Sequence, residues 1–247
     1  MAPRSVADGQ RETRRDRDGR TPRFAIFKYS FANEILVAVT FDLFGTLVDA
    51  EYPSDPGAAV ADALREYGVA VPDDWDDAYR EVHIDAPEGA EVPLPAHVAA
   101  ALRSRGVDSP DNAARRAVIT AFDPEVTTRP GAVDAVAAAR EAGAVGLLSN
   151  CSVPELVART LIRSDLDRRG FDDITTSVAC GWRKPHRQAF EAAARGLGVD
   201  AAELVHVGDD PDADGGIEAV GGRFVNLRET TLESVAARLR AGEDPCP

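Results

Sequence analysis

The 247-residue sequence is short of lysine, with only Lys28 and Lys184 against 26 arginines. Cysteine is scarce too. Cys151, Cys180 and Cys246 are odd in number and lack the close pairing of a thiolate metal site. This excludes a disulfide-stapled scaffold and suits a reducing, cytoplasmic setting. No apolar run approaches the roughly 20 residues needed to cross a bilayer. The N-terminal stretch lacks the continuous apolar region of a signal peptide, and its acids argue against a transit peptide.

Positive charge is short over most of the chain. Residues 1–34 carry eight Arg/Lys against five Asp/Glu, a net of +3, whereas residues 35–247 carry 20 against 37, a net of −17. Such a surface repels nucleic-acid phosphates and anionic lipid, which excludes both as general partners. An acidic, lysine-poor, alanine-rich chain matches a halophilic protein from a salt-accumulating organism. A high-GC genome accounts for Arg and Ala in place of Lys, but not for the acidic excess.

What is present is enough apolar residue, 44%, to bury a core. At this length the chain holds one large α/β domain, or a core domain with a smaller insert. Residues 1–33 show no period and many charges, so they read as a disordered tail or as a start assigned too far upstream. Ile35 to Phe41 is β-branched and apolar and ends at Asp42, the pattern of a strand buried on both faces. Similar runs recur at 144–148, 174–178, 204–207 and 223–226. Helical patterns cover 132–142, 154–163, 185–196 and 232–239. This alternation predicts βαβ units and a doubly wound parallel sheet. Residues 50–128 break it with four short helical patterns, at 56–67, 74–83, 95–105 and 111–122, separated by Pro and Gly. The expected domains are a core of 34–49 and 129–247 and a helical cap of 50–128.

Four segments at predicted strand ends or helix starts carry chemistry, where open α/β sheets bind ligands. Asp42 follows the first strand directly and precedes a Gly45-Thr46 turn, which is how a carboxylate nucleophile is presented. Ser149 and Asn150 close the second strand with a hydroxyl and an amide that can bond an anionic oxygen. Lys184, the only lysine beyond residue 28, precedes Pro185 at a predicted helix start. Its retention in an arginine-rich chain points to a need for a compact ammonium. Asp209, Asp210, Asp212 and Asp214 follow the strand that contains His206. A hard divalent cation relieves the repulsion of such a cluster; in a chain this acidic, a solvated loop is the competing explanation.

In this order the four segments resemble the haloacid dehalogenase (HAD) superfamily, over about residues 35–240. The resemblance implies a Rossmann-like core and a cap inserted after the first motif. It also implies a covalent mechanism on Asp42, Mg²⁺ held by Asp42, the Phe44 carbonyl, Asp209 and Asp214, and substrate bound by Gly45, Thr46, Ser149, Asn150 and Lys184. The partner it implies is a small phosphorylated molecule whose identity is set mainly by the cap.

One position departs from the phosphatases of that superfamily. Phe44 stands where they carry a second Asp, so general acid–base help, typically worth about 10²–10⁴-fold, is missing from that residue. His83, Asp85 and His97 in the cap are candidate replacements. An aromatic residue followed by Gly-Thr, together with Leu148-Ser149-Asn150, resembles the 2-haloacid dehalogenases, while Gly208-Asp209-Asp210 is the metal-binding form. The leading expectation is a Mg²⁺-dependent phosphatase. Carbon–halogen hydrolysis through Asp42 and a non-catalytic phosphate-binding module are the alternatives. His206 and Cys151 read as core residues, Trp182 and Phe190 as packing for the Lys184 helix, and Arg129 as a substrate contact. The charge excess itself is testable: raising KCl from low to molar concentration is expected to raise the thermal midpoint by screening self-repulsion, and a midpoint that stays flat or falls contradicts the salt-adapted reading.

Overall fold

The computed structural model describes residues 38–246. The expectations for residues 1–33, and for Ile35–Val37 of the first strand, lie outside the described residues. Five parallel strands make the main sheet: β1 (Ala38–Phe41), β4 (Val145–Ser149), β5 (Asp173–Thr176), β6 (Leu204–Gly208) and β7 (Arg223–Asn226). Their order is β5-β4-β1-β6-β7, so the strand ending at Asp42 is the central one. All of β1, β4 and β6 is buried, as apolar runs without alternation predict for a sheet covered on both faces.

The two faces are nevertheless different. Val39, Phe41, Val145, Leu147, Val205 and Val207 point into the larger core, against α5 (Ala132–Ala142), α6 (Leu156–Arg163) and α9 (Leu232–Arg240). The opposite face presents Ala38, Leu148 and Leu204 to α8 (Arg187–Leu197). Gly146 lies on that face, and a Cβ there would sit 3.1 Å from Leu197 and 3.2 Å from Thr40. Small residues let α8 approach closely, and Phe190 fills the space over His206 with ring centroids 5.5 Å apart.

A second, two-stranded antiparallel ribbon joins β2 (Val48–Ala50) to β3 (Val126–Thr128). Three-residue strands beside a helical block show no readable period, so this ribbon leaves no signal in the sequence. Between these strands lie α1 (Pro56–Glu66), α2 (Trp75–Arg80), α3 (Leu94–Ser104) and α4 (Ala113–Ala121). All four expected helices of this insert are present, with α1, α2 and α4 shorter than expected and α3 shifted by one residue. The Asp55 side chain accepts from the Ala58 N–H and Pro56 opens α1, a start signal legible in the sequence. Buried Trp75 ties α2 to α1 by donating its indole N–H to the Gly57 carbonyl at 2.8 Å.

A short helix, α7 (Ser177–Cys180), stands where the expected strand 174–178 would have continued. In the β5 stretch only Thr175 is buried, while Asp173, Ile174 and Thr176 are half-buried, as befits an edge strand. Among the described residues no helix is long and apolar enough to cross a membrane. Removing the ring that seats α8, by Phe190→Ala, is expected to cost about 3–5 kcal/mol in chemical denaturation; a loss below about 1 kcal/mol would show that α8 is held by something else.

Candidate active site

The register of the sheet brings three loops together at its carboxyl edge. Phe41 pairs with Leu147 on one side and Val207 on the other, so Asp42 leaves the sheet beside Ser149 and Gly208, the last residues of β4 and β6. The Asp42 N–H donates to the Val207 carbonyl at 2.9 Å, which fixes where the nucleophile candidate leaves the sheet.

Lys184 reaches this edge from the loop before α8. Its ammonium donates to Asp42 Oδ1 at 2.7 Å, Asp214 Oδ1 at 2.6 Å and the Leu148 carbonyl at 2.9 Å. Three donors meet three acceptors in a site where the lysine side chain is only 2% exposed. Burial alone would lower the Lys184 pKa, but the charges and hydrogen bonds of Asp42 and Asp214 outweigh it and leave it above the ordinary lysine range. Burial pushes the Asp42 carboxyl up to about 6, with the Asp214 charge adding to it and Lys184 opposing.

Asp214 is placed differently from expectation. Named with the metal donors, it has both oxygens committed: Oδ1 accepts from Lys184 and, at 3.1 Å, from His206 Nε2, and Oδ2 accepts from the Asp210 N–H at 3.0 Å. Burial opposes its ionised form, but the His206 and Lys184 contacts prevail and hold it below the usual carboxylate range. It is an anchor for the lysine. His206 is fully buried, its other nitrogen paired with the Thr40 hydroxyl at 2.9 Å. Burial and the neighbouring Lys184 lower its pKa, so it is neutral, donating to Asp214 and accepting from Thr40. The sequence signal for this relay was two polar residues, Thr40 and His206, in register on adjacent buried strands.

Asn150 is also committed elsewhere. Its side-chain N–H donates to the Lys184 carbonyl at 2.9 Å and its oxygen accepts from the Lys184 N–H at 2.8 Å. Both amide atoms that were expected on substrate therefore clamp the lysine's own backbone. Ser149 Oγ, by contrast, is buried with no partner among the described residues. A buried hydroxyl without a partner is costly, so this one is free for a ligand oxygen.

On the other side of Asp42 the turn is shaped around Asp209. Gly45 has φ +85°, and a Cβ there would sit 2.7 Å from the Asp209 carboxylate. Glycine serves both the left-handed backbone and the close approach. Thr46 donates its hydroxyl to Asp209 Oδ1 at 2.9 Å. Lys184 thus takes one oxygen of Asp42 and Thr46 one of Asp209, while the Phe44 carbonyl meets no donor among the described residues.

These groups suit a hard cation. Asp42 and Asp214 share one ammonium, which leaves a buried net negative charge, and the Asp209 carboxylate stands against Gly45 and Thr46 in the turn that follows Asp42. Among the described residues no three His, Cys, Asp or Glu side chains gather as a metal cage. Two carboxylates and a backbone carbonyl are enough for Mg²⁺, which keeps several waters.

The histidines of the insert expected as replacement acids are occupied. His83 Nε2 bonds the Ala78 carbonyl and His97 Nε2 the Tyr79 carbonyl, each at 2.7 Å, and Asp85 is exposed. Arg129 lies 3.9 Å from Asp49 at the root of the ribbon, so its guanidinium is turned to a carboxylate. The Phe44 ring packs edge-on to Tyr52, centroids 5.8 Å apart, and Tyr52 against Phe122 at 6.4 Å. Burial and the nearby Cys151 and Asp42 raise the Tyr52 phenol above its usual range, which keeps it protonated. One tyrosine after a short strand carries no pattern, so Tyr52 leaves no signal in the sequence.

The family model for haloacid dehalogenase-like hydrolases matches residues 36–221. The chain belongs to that family. This HAD-like chain also resembles solved structures at low identity. A 2-haloacid dehalogenase from Pseudomonas syringae pv. Tomato superposes with a TM-score of 0.60 at 20% identity, covering 83% of this chain and 98% of that one. A HAD phosphatase from Thermococcus onnurineus gives 0.53 at 19%, covering 84% and 99%. CbbY from Rhodobacter sphaeroides, solved with xylulose-(1,5)bisphosphate, gives 0.51 at 22%, covering 76% and 84%. These likenesses establish the fold and include both chemistries. No curated protein matches the sequence significantly.

Gly208 offers a test of the anchored lysine. A Cβ there would collide with the Asp214 carboxylate. Gly208→Ala is therefore expected to destabilise the HAD-like core by about 1–3 kcal/mol through overpacking. Unchanged stability on chemical denaturation would mean that Asp214 is not held where the contacts place it.

Proposed function

We propose that this HAD-like hydrolase is a magnesium-dependent phosphatase of a small phosphorylated metabolite, with Asp42 as nucleophile and residues 50–128 as its cap. The observation that carries the reading is the acid excess at the sheet edge. Asp42 and Asp214 share one ammonium, Asp209 accepts from Thr46 in the turn that follows Asp42, and the donors left over are oxygens suited to Mg²⁺. The cytoplasmic setting and the salt adaptation expected from the composition belong to the same proposal.

In this reading Asp42, the Phe44 carbonyl and Asp209 hold Mg²⁺, which neutralises phosphoryl charge and lets Asp42 stay ionised. The free carboxylate oxygen of Asp42 attacks phosphorus in line. The P–O bond to the leaving group breaks, and its oxygen takes a proton from solvent, because Phe44 has none to give. Water then attacks the phosphorus of the aspartyl-phosphate, releasing orthophosphate and restoring Asp42. Lys184 and the Ser149 hydroxyl bind the transferring group, with the Thr46 amide beside them; the Gly45 amide, expected there too, is spent on the Val48 carbonyl at 2.8 Å. Asn150 and Asp214 act on Lys184, holding its backbone and its ammonium. Without a side-chain acid, turnover favours esters whose leaving oxygen needs little protonation.

One observation favours dehalogenation instead: the aromatic Phe44 beside Asp42 with Tyr52 and Phe122 behind it, an apolar wall suited to a carbon skeleton. The two readings separate on p-nitrophenyl phosphate in molar KCl. Hydrolysis is expected with Mg²⁺, to be abolished by EDTA and by Asp42→Asn. Chloride release from 2-chloropropionate that survives EDTA would overturn the phosphatase reading in favour of dehalogenation. A folded protein inactive on both would leave only a phosphate-binding module.

A further inference from the structure

A carboxylate outside the reacting cluster is almost completely buried. Glu91 lies in the segment between α2 and α3 of the insert, its side chain 2% exposed. Burying a charge is costly unless it is bonded. Glu91 accepts a short hydrogen bond from the Ser177 hydroxyl and lies 3.6 Å from the half-exposed Arg183 guanidinium.

Its partners lead to both loops of the active site. Ser177 Oγ, buried, accepts from the Cys151 N–H at 2.8 Å, which fixes the loop that follows Ser149 and Asn150. Arg183 immediately precedes Lys184. The backbone strengthens the connection: Glu91 N–H donates to the Gly181 carbonyl at 2.9 Å, and Arg183 N–H donates to the Gly89 carbonyl at 2.9 Å. Ala90 and Trp182 thus form an antiparallel bridge between insert and core. Leu94 N–H donates to the Ser152 carbonyl at 2.9 Å, tying the start of α3 to the Ser149 loop.

We propose that Glu91 is a positioning residue for the hydrolysis, joining the insert to the Ser149 and Lys184 loops through its bonds to Ser177 and Arg183. The proposal rests on the phosphatase reading of the site. Neither Ser149 nor Lys184 touches Glu91, yet both are carried by backbone that Glu91 pins. Loss of that carboxylate leaves the Ser177 hydroxyl without its acceptor and Arg183 without its counter-charge, while the backbone bridge remains. The loops then keep their fold and lose their register, and misplacement of about 1 Å costs as much as 10²-fold in rate. An insert that docks correctly completes the phosphate pocket, so docking and catalytic geometry are linked through one buried side chain.

The experiment compares Glu91→Ala and Glu91→Gln with wild type. Glutamine keeps an oxygen for Ser177, whereas alanine keeps nothing. Glu91→Ala is expected to lower kcat on p-nitrophenyl phosphate by roughly tenfold or more with a smaller change in KM, and Glu91→Gln to restore most of it. A second readout does not need turnover. In a Trp75→Phe background Trp182 is the tryptophan at this seam, and its fluorescence is titrated with orthophosphate; Glu91→Ala is expected to weaken that binding by a similar factor. Unchanged kcat and unchanged phosphate affinity in Glu91→Ala overturn the proposal. So do equal losses in both variants that follow a fall in thermal midpoint, since these mark a merely structural role. If wild type hydrolyses no phosphate ester, the phosphatase reading fails, and the Trp182 titration still decides whether Glu91 organises the anion site.

Discussion

Every distinctive feature of the site depends on one buried ammonium held between two carboxylates. Lys184 sits where water is excluded, and it is tolerable there only because Asp42, Asp214 and the Leu148 carbonyl accept all three of its protons. That requirement propagates outward. Asp214 must be presented with both oxygens aimed inward, so Gly208 carries no side chain and neutral His206 backs the carboxylate. The lysine backbone must be exact, so Asn150 is spent on clamping it from both sides. An arginine would not satisfy this geometry, which gives a physical reason for one lysine in a body otherwise built with arginine.

The same requirement explains what was legible in the sequence. The central strand and the parallel sheet follow from apolar runs, the four helices of the insert from helical patterns set off by Pro and Gly, and the grouping of Asp42, Lys184 and Asp214 from the family resemblance. Those signals are local and strong. Direction was harder to read. Asp214 and Asp209 lie on one acidic loop, yet the first turns inward to the lysine while the second turns to Gly45 and Thr46. No spacing distinguishes them, because the difference is made by Gly208, Gly45 and the buried His206. Asn150 likewise looks like a ligand group until its two bonds to Lys184 are seen. The β2–β3 ribbon, Tyr52 and Glu91 carry no periodic signal, and their roles come from tertiary contacts alone.

Phe44 gives the chain a mixed character within its family. Its ring, with Tyr52 and Phe122, makes the cleft wall apolar on the side where a carboxylic acid would serve phosphate-ester hydrolysis. Its carbonyl, with Asp42 and Asp209, stays available to a cation. Burial and Asp214 strain the ionised form of Asp42 against the help of a single lysine, and the proposed metal-assisted reading rests on that balance of charge. The insert contributes from the far side, where its strap pairs with the backbone beside Lys184.

Calorimetric titration of Mg²⁺ into the wild-type protein and into Asp209→Asn tests the central claim most directly. The account predicts that wild type binds one Mg²⁺ and that Asp209→Asn loses most of that affinity, since the acid excess around Lys184 is what draws the cation. No binding to folded wild type, or binding that ignores Asp209, would contradict it.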